Sequence, residues 1–161
     1  MGTMLSKTWK TIEGKKITEA IPVIKEALAE NYEIHIGCDS QQNGLYTEFV
    51  TVIAILNRGH GGRALYFTER VSRIKSLRER LLKEVWSSVN VALEVTEIIG
   101  DASKLQVHID VNPIVDFRSS DYIKELTAMV VSQGFICKTK PDAWAAMHVA
   151  DHVVKYKVIG R

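Results

Sequence analysis

The stretch EIHIGCDSQ, residues 33–41, decides how this chain is read. Ile34 and Ile36 alternate with His35 and Gly37, the period of a strand with two unlike faces. The run then meets a carboxylate, Asp39, followed by Ser40 and Gln41. Asp-Ser is common where a strand stops and a turn begins. A strand end facing solvent is also a place where charge can be held rigidly and used. The two readings separate only when the rest of the chain is set around this strand.

Upstream, residues 1–14 carry little periodicity and read as a loose arm. Residues 17–32 predict an amphipathic helix, with Ile17, Ile21, Ile24 and Leu28 on one stripe and Pro22 near the first turn, where a missing N–H costs least. Downstream, TEFVTVIAIL (47–56) is an almost continuously apolar strand, NRGHGG (57–62) a glycine-rich turn, and RALYFTERV (63–71) a third, alternating strand. Short turns between consecutive strands favour an antiparallel meander. A long helix is predicted over 76–100, with Ser76 as N-cap, Glu79 three residues on as in a capping box, and Gly100 as C-terminal stop. Its buried stripe reads Leu77, Leu81, Val85, Val89, Ala92 and Thr96. LQVHIDVNP (105–113) is a fourth strand, 119–134 a helix, FICKTKP (135–141) a fifth strand and 142–156 a last helix. The order is β-β-β-α-β-α-β-α behind an extra N-terminal helix. It implies an α/β domain with a mixed five-stranded sheet, strands one, four and five parallel, and helices on both faces.

The chain has 161 residues, 46% hydrophobic and 25% charged, with a formal net charge of +2. These values suit one globular domain over 1–161, divided as arm and helix (1–32) and core (33–156). The charge neither requires nor excludes a nucleic-acid partner. Cys38 and Cys137 form no CxxC pair and lie in apolar segments, as expected of a reduced, cytoplasmic protein with small buried thiols. The apolar run VIAIL is too short to span a membrane, and no apolar signal region opens the chain. MGTMLS fits a loose myristoylation pattern that is common by chance.

Asp39 now has company. Asp110 ends the fourth strand as Asp39 ends the first, and parallel strands carry their C-terminal ends to one edge of the sheet, where open α/β sheets place their sites. Two carboxylates side by side repel unless a cation lies between them or one keeps its proton. Topology brings Glu79, in the first turn of the long helix, and Asp142, at the start of the last helix, to the same edge. Glu84 has a rival claim to Glu79, but lies about 7.5 Å further down the helix. Asp151 rivals Asp142, but nine residues at about 100° each set it on the opposite side of the helix, about 13 Å along the axis. Four oxygen ligands, Asp39, Glu79, Asp110 and Asp142, suit Mg²⁺ or Mn²⁺, and two such ions about 4 Å apart would clamp an in-line displacement at phosphorus.

This order of elements and acids resembles the ribonuclease H-like superfamily. The segments IHIGCDSQ, SLRERLLKEVW, VHIDVNP and KPDAWAAMHVAD resemble in particular a bacterial YkuK-like group, over residues 33–156, and PDAWAA is similar to the last helix of RuvC-type junction resolvases. The resemblance implies carboxylates on the first strand, the first long helix, the fourth strand and the start of the last helix. It implies a fold and a site rather than a particular substrate.

The remaining polar residues carry bland readings beside functional ones. His35 and His108 face the same side as their neighbouring aspartates and read as hydrogen-bonded core histidines. His60 reads as solvated. His148 and His152 have zinc spacing with no third ligand evident. Trp86 and Trp144 read as core. Arg70, Arg73, Lys75, Arg78 and Arg80 crowd the entry to the long helix, and Lys138 and Lys140 alternate on the fifth strand; they read either as a solvated rim or, the favoured reading, as a phosphate track. The expected function is a divalent-metal-dependent nuclease acting on RNA, RNA–DNA hybrid or branched DNA. The alternative is a nucleic-acid-binding protein that keeps the fold without turnover. An actin-like ATPase half-domain, the third reading, would need a glycine-rich phosphate hairpin where DSQQNGLYTEF offers one glycine.

Overall fold

A computed structural model describes residues 3–29, 31–57, 61–111 and 121–139. Its elements in chain order are β1 (Trp9–Thr11), β2 (Lys16–Ile17), α1 (Ala20–Ala27), β3 (Tyr32–Asn43), β4 (Tyr46–Asn57), β5 (Gly61–Ser72), α2 (Leu77–Ile99), β6 (Leu105–His108), α3 (Ile123–Val131) and β7 (Ile136–Lys138). The strands form one mixed sheet in the order β2-β1-β5-β4-β3-β6-β7. β3, β4 and β5 are the expected antiparallel meander, while β6 and β7 add in parallel beside β3.

Three expectations need correction. The sheet has seven strands among the described residues, not five, because part of the supposed loose arm forms a hairpin on β5. Trp9 anchors it: its ring is fully buried edge-on against Phe67, and its indole N–H donates to the Met4 carbonyl at 3.1 Å. One large aromatic fixes this segment, and a single residue leaves no periodicity to read. Second, α1 starts only at Ala20, with Ile17 given to β2 and Ile21 exposed. Third, β3 does not end at Asp39. It runs four residues further, paired with β4 as far as Asn43 opposite Tyr46.

α2 follows its sequence signals closely. Ser76 Oγ accepts the Glu79 N–H at 3.2 Å, and Gly100 closes the helix in the left-handed region at φ 72°.

Side chains alternate along the strands, and the two faces differ. Ile34, Ile36, Ile53, Ile55, Leu65, Phe67, Leu105, Val107 and Ile109 point to one side and share a single core with Ala20 and Ile24 of α1, Val85 and Val89 of α2, and Leu126 and Val130 of α3. The described helices therefore cover one face. The opposite face carries His35, Val50, Val52, Ala54 and His108, all buried. The last helix expected over 142–156 lies outside the described residues.

Candidate active site

β6 pairs with β3 from Leu105 opposite Ile34 to His108 opposite Gly37. Carried two residues further, that register sets Asp110 opposite Asp39. Beyond the last ladder pair the chain still follows β7, since the Ile109 N–H donates to the Lys138 carbonyl at 3.0 Å. Asp39 is half-buried, and its Oδ1 accepts the Ser40 N–H at 2.9 Å. Asp110 is half-buried too.

The third acid is Glu84, which is only 5% exposed. The Ser40 hydroxyl donates to Glu84 Oε2. Ser40 is held in turn by Arg80, whose Nε and Nη2 donate to Ser40 Oγ at 3.3 and 3.1 Å and whose Nη2 also reaches the Ser40 carbonyl at 3.3 Å. Burial pushes the Glu84 carboxyl well above its ordinary range. The charge of Asp39 adds to the rise and that of Asp110 adds further, against the Ser40 hydroxyl and the Arg80 guanidinium, which favour the ionised form. Cys38, between them on β3, has its thiol pushed up by burial and by the Glu84 and Asp39 charges. Glu84 and Asp110 line one narrow cleft with Cys38 and His108.

The structure places the two helix acids differently. Glu79 is exposed in the first turn of α2, where its N–H completes the Ser76 cap; Glu84 is the helix acid whose ionisation feels Asp39 and Asp110. The reason is the extra length of β3. Because the strand continues past Asp39, the carboxylates sit inside the edge of the sheet, and the helix residue that reaches them lies further down. A signal was available: Glu84 falls between Leu81 and Ser88 on the buried side of α2, a charge at a core position. Asp142, the fourth expected ligand, lies outside the described residues, as do Asp151, His148, His152, Trp144, His60 and Lys140.

The basic residues do not form one uniform track. Arg80 belongs to the carboxylate cluster. Arg78 makes a two-pronged ion pair with Glu125 of α3, at 3.1 and 2.5 Å. Arg70 pairs with the buried Glu48. Arg73 donates to the Gly44 carbonyl at 2.8 Å, and Lys75 is exposed beside it. Lys138 is half-buried, near enough to His108 to disfavour its protonation. Trp86, read as core, is 52% exposed and borders a groove with Phe49, Phe67 and Lys83.

His35 and His108 are buried as expected, their ring centroids 4.5 Å apart on the aspartate side of the sheet, but the expected hydrogen bonding holds only for His108 Nε2. His108 Nε2 lies 3.2 Å from Gln106 Oε1, and His35 Nε2 lies 3.4 Å from Glu33 Oε2. Burial lowers both imidazoles. His108, further discouraged by His35 and Lys138, is pushed down to about 3, whereas Glu33 partly offsets the fall at His35. Both shifts favour the neutral imidazole.

Carboxylates are the hard oxygen donors that Mg²⁺ and Mn²⁺ take, and the Glu84 carboxyl, raised first by burial and then by the Asp39 and Asp110 charges, is one whose ionised form a nearby cation would favour. The chemistry of the donors fits such an ion. Among the described residues, no three His, Cys, Asp or Glu side chains close on a single point. No helix among the described residues is long and apolar enough to cross a membrane.

No solved structure matches the chain. Bacillus subtilis (strain 168) YkuK, an uncharacterized protein, is 29% identical to it over 140 residues, covering 78% of this chain and 80% of YkuK. A family profile described as ribonuclease H-like matches residues 16–155, which spans the meander, α2 and both parallel strands. The chain thus belongs to the ribonuclease H-like family.

Proposed function

We propose that this protein is a divalent-metal-dependent nuclease that hydrolyses phosphodiester bonds in RNA, RNA–DNA hybrid or branched DNA. One observation carries the reading: a buried helix carboxylate, Glu84, feels the charges of two strand aspartates, Asp39 and Asp110, in a chain of the ribonuclease H-like family. A buried carboxylate near two others costs stability, and a bound cation would offset that cost. Asp39, Glu84 and Asp110 would hold Mg²⁺ or Mn²⁺, with Asp142 the candidate to complete the set. The bound ions would activate water and neutralise the leaving oxygen. Around them Ser40 orients Glu84, and Arg80 orients Ser40. Burial favours the neutral forms of His35 and His108, which limits the positive charge beneath the aspartates.

A second reading, a nucleic-acid-binding protein without turnover, is favoured by one observation. The described carboxylates do not close on a single point as they stand. One assay separates the two. Purified protein is incubated with labelled single-stranded, duplex, hybrid and four-way-junction substrates, with Mn²⁺, Mg²⁺ or EDTA. The nuclease reading expects cleavage that needs metal and disappears in Asp39→Asn. Binding without cleavage of any substrate, in either metal, supports the second reading.

A further inference from the structure

The β3–β4 hairpin rises past the carboxylates. From Asp39 opposite Val50 it continues to Asn43 opposite Tyr46, about 14 Å along the strand. On the carboxylate side its neighbour β6 stops at His108, so the hairpin stands clear of that strand. Gly44, at φ 63°, makes the turn possible. The turn gives no reason for the next two residues to be large and apolar. Yet Leu45 is 81% exposed and Tyr46 46% exposed.

This tip is fastened rather than left loose. The Arg73 N–H donates to the Leu45 carbonyl at 2.9 Å, and its guanidinium to the Gly44 carbonyl at 2.8 Å. Lower down, Gln42 donates to the Ile74 carbonyl at 2.6 Å, the Ile74 N–H to Thr47 Oγ1 at 2.9 Å, and Thr47 to Gln42. A connecting loop needs none of this. The arrangement presents a leucine and a tyrosine to solvent in one fixed position. Residues 40–47 and 70–76 contain Arg70, Arg73 and Lys75 and no acid, and of the three Arg70 is paired with the buried Glu48. The Arg70 guanidinium already lies over the Tyr46 ring, 5.0 Å from its centroid.

We propose that this hairpin tip grips a nucleic-acid strand a few nucleotides at most from the reacting phosphate. Leu45 wedges against unstacked bases, Tyr46 stacks on one, and Arg73 with Lys75 hold the backbone. Opening a stacked, paired duplex costs a few kcal/mol, which a single-stranded or branched substrate has already met, so the tip selects strands with unpaired bases. This deepens the nuclease reading by naming its substrate class, and it rests on that reading.

The test is fluorescence-anisotropy titration in EDTA, with a labelled single strand, a continuous duplex of the same sequence and a four-way junction. Wild type, Leu45→Ser and Tyr46→Ser are compared, with cleavage in Mn²⁺ measured in parallel. Each variant is expected to weaken single-strand and junction binding about fivefold to a hundredfold and to leave duplex binding within about twofold. Melting temperatures should match wild type, because neither side chain is in the core. Equal loss on all three substrates, no loss on any, or no binding by wild type overturns the tip proposal. Wild-type binding with the expected selectivity but without cleavage overturns the nuclease reading and leaves the tip standing.

Discussion

The two faces of the β3–β6 pair come from alternate residues of the same two strands, and both are buried. On one, Ile34, Ile36, Leu105, Val107 and Ile109 pack under the helices. On the other, the His35 and His108 rings lie against each other at a tilt of 46°, and Asp39 and Asp110 follow them. Burial alone does not distinguish these faces; what is buried does. An apolar side chain removed from water stabilises the fold, whereas an imidazole or carboxylate removed from water must be discharged or partnered. One face is thus built for stability, and the other holds polar groups at a cost in stability.

The largest expected effect breaks the acids, the two aspartates of the polar face and Glu84, which lies on the helix side with Ser40. Asp39→Asn, Asp110→Asn and Glu84→Gln should each reduce metal-dependent cleavage to background while leaving melting temperature equal to or above wild type without metal, since each removes a crowded charge. Glu79→Gln, on the same helix but exposed, should stay within a few-fold of wild type. Metal-titrated cleavage and thermal melts read both. Loss of activity in Glu79→Gln with full activity in Glu84→Gln would reverse the assignment.

The apolar face should respond in the opposite way. Ile36→Ala removes a fully buried side chain between β4 and β6 and should lower unfolding free energy by about 2–5 kcal/mol. Cleavage per folded molecule should be unchanged. Urea denaturation with activity normalised to the folded fraction checks this.

This contrast also explains what could be read beforehand. The meander, the long capped helix and the parallel strands were legible because Ile34, Ile36, Val107 and the stripe of α2 repeat at the periods of strand and helix. Asp39 and Asp110 were legible because they follow those repeats. The length of β3 was not: Ser40, Gln41, Gln42 and Asn43 are all polar, so alternation vanishes although the hydrogen-bond ladder to β4 continues. Glu79 was preferred to Glu84 for the same reason, since the edge was taken to be at Asp39. The β1–β2 hairpin rests on Trp9 alone, and its docking onto β5 is a tertiary fact.

The histidine pair predicts how the polar face responds to acid. An unfolded imidazole takes its proton near pH 6.5, but folded His108 resists until about 3. Between these values the unfolded chain binds more protons, so stability present above the window is lost as pH falls through it. His35, also lowered, acts in the same direction. His108→Gln should flatten the dependence of unfolding free energy on pH by up to about one proton, or about 1.4 kcal/mol per pH unit. Denaturant melts from pH 7 to pH 4 measure the slope. An unchanged slope would mean that His108 takes its proton in the fold.

The smallest expected effect concerns a buried polar residue of β3 that shares the apolar face with Ile34 and Ile36. Ser40 follows them at period two, yet its hydroxyl serves a carboxylate: it donates to Glu84 and accepts from Arg80. If that hydroxyl only satisfies buried polar atoms, its removal should change stability and leave metal use alone. If it aims Glu84, the metal requirement should move, because partners that orient a ligand are worth about 10–100-fold in affinity or activity. Ser40→Ala is expected to raise the Mn²⁺ concentration for half-maximal cleavage about tenfold. Ser40→Thr, which keeps the hydroxyl, should stay within a few-fold, and Arg80→Lys, which loses the two-pronged grip, should fall between them. Cleavage measured across a Mn²⁺ series for the three variants gives the order. An unshifted midpoint in Ser40→Ala with a lowered melting temperature would return Ser40 to the face it shares with the isoleucines.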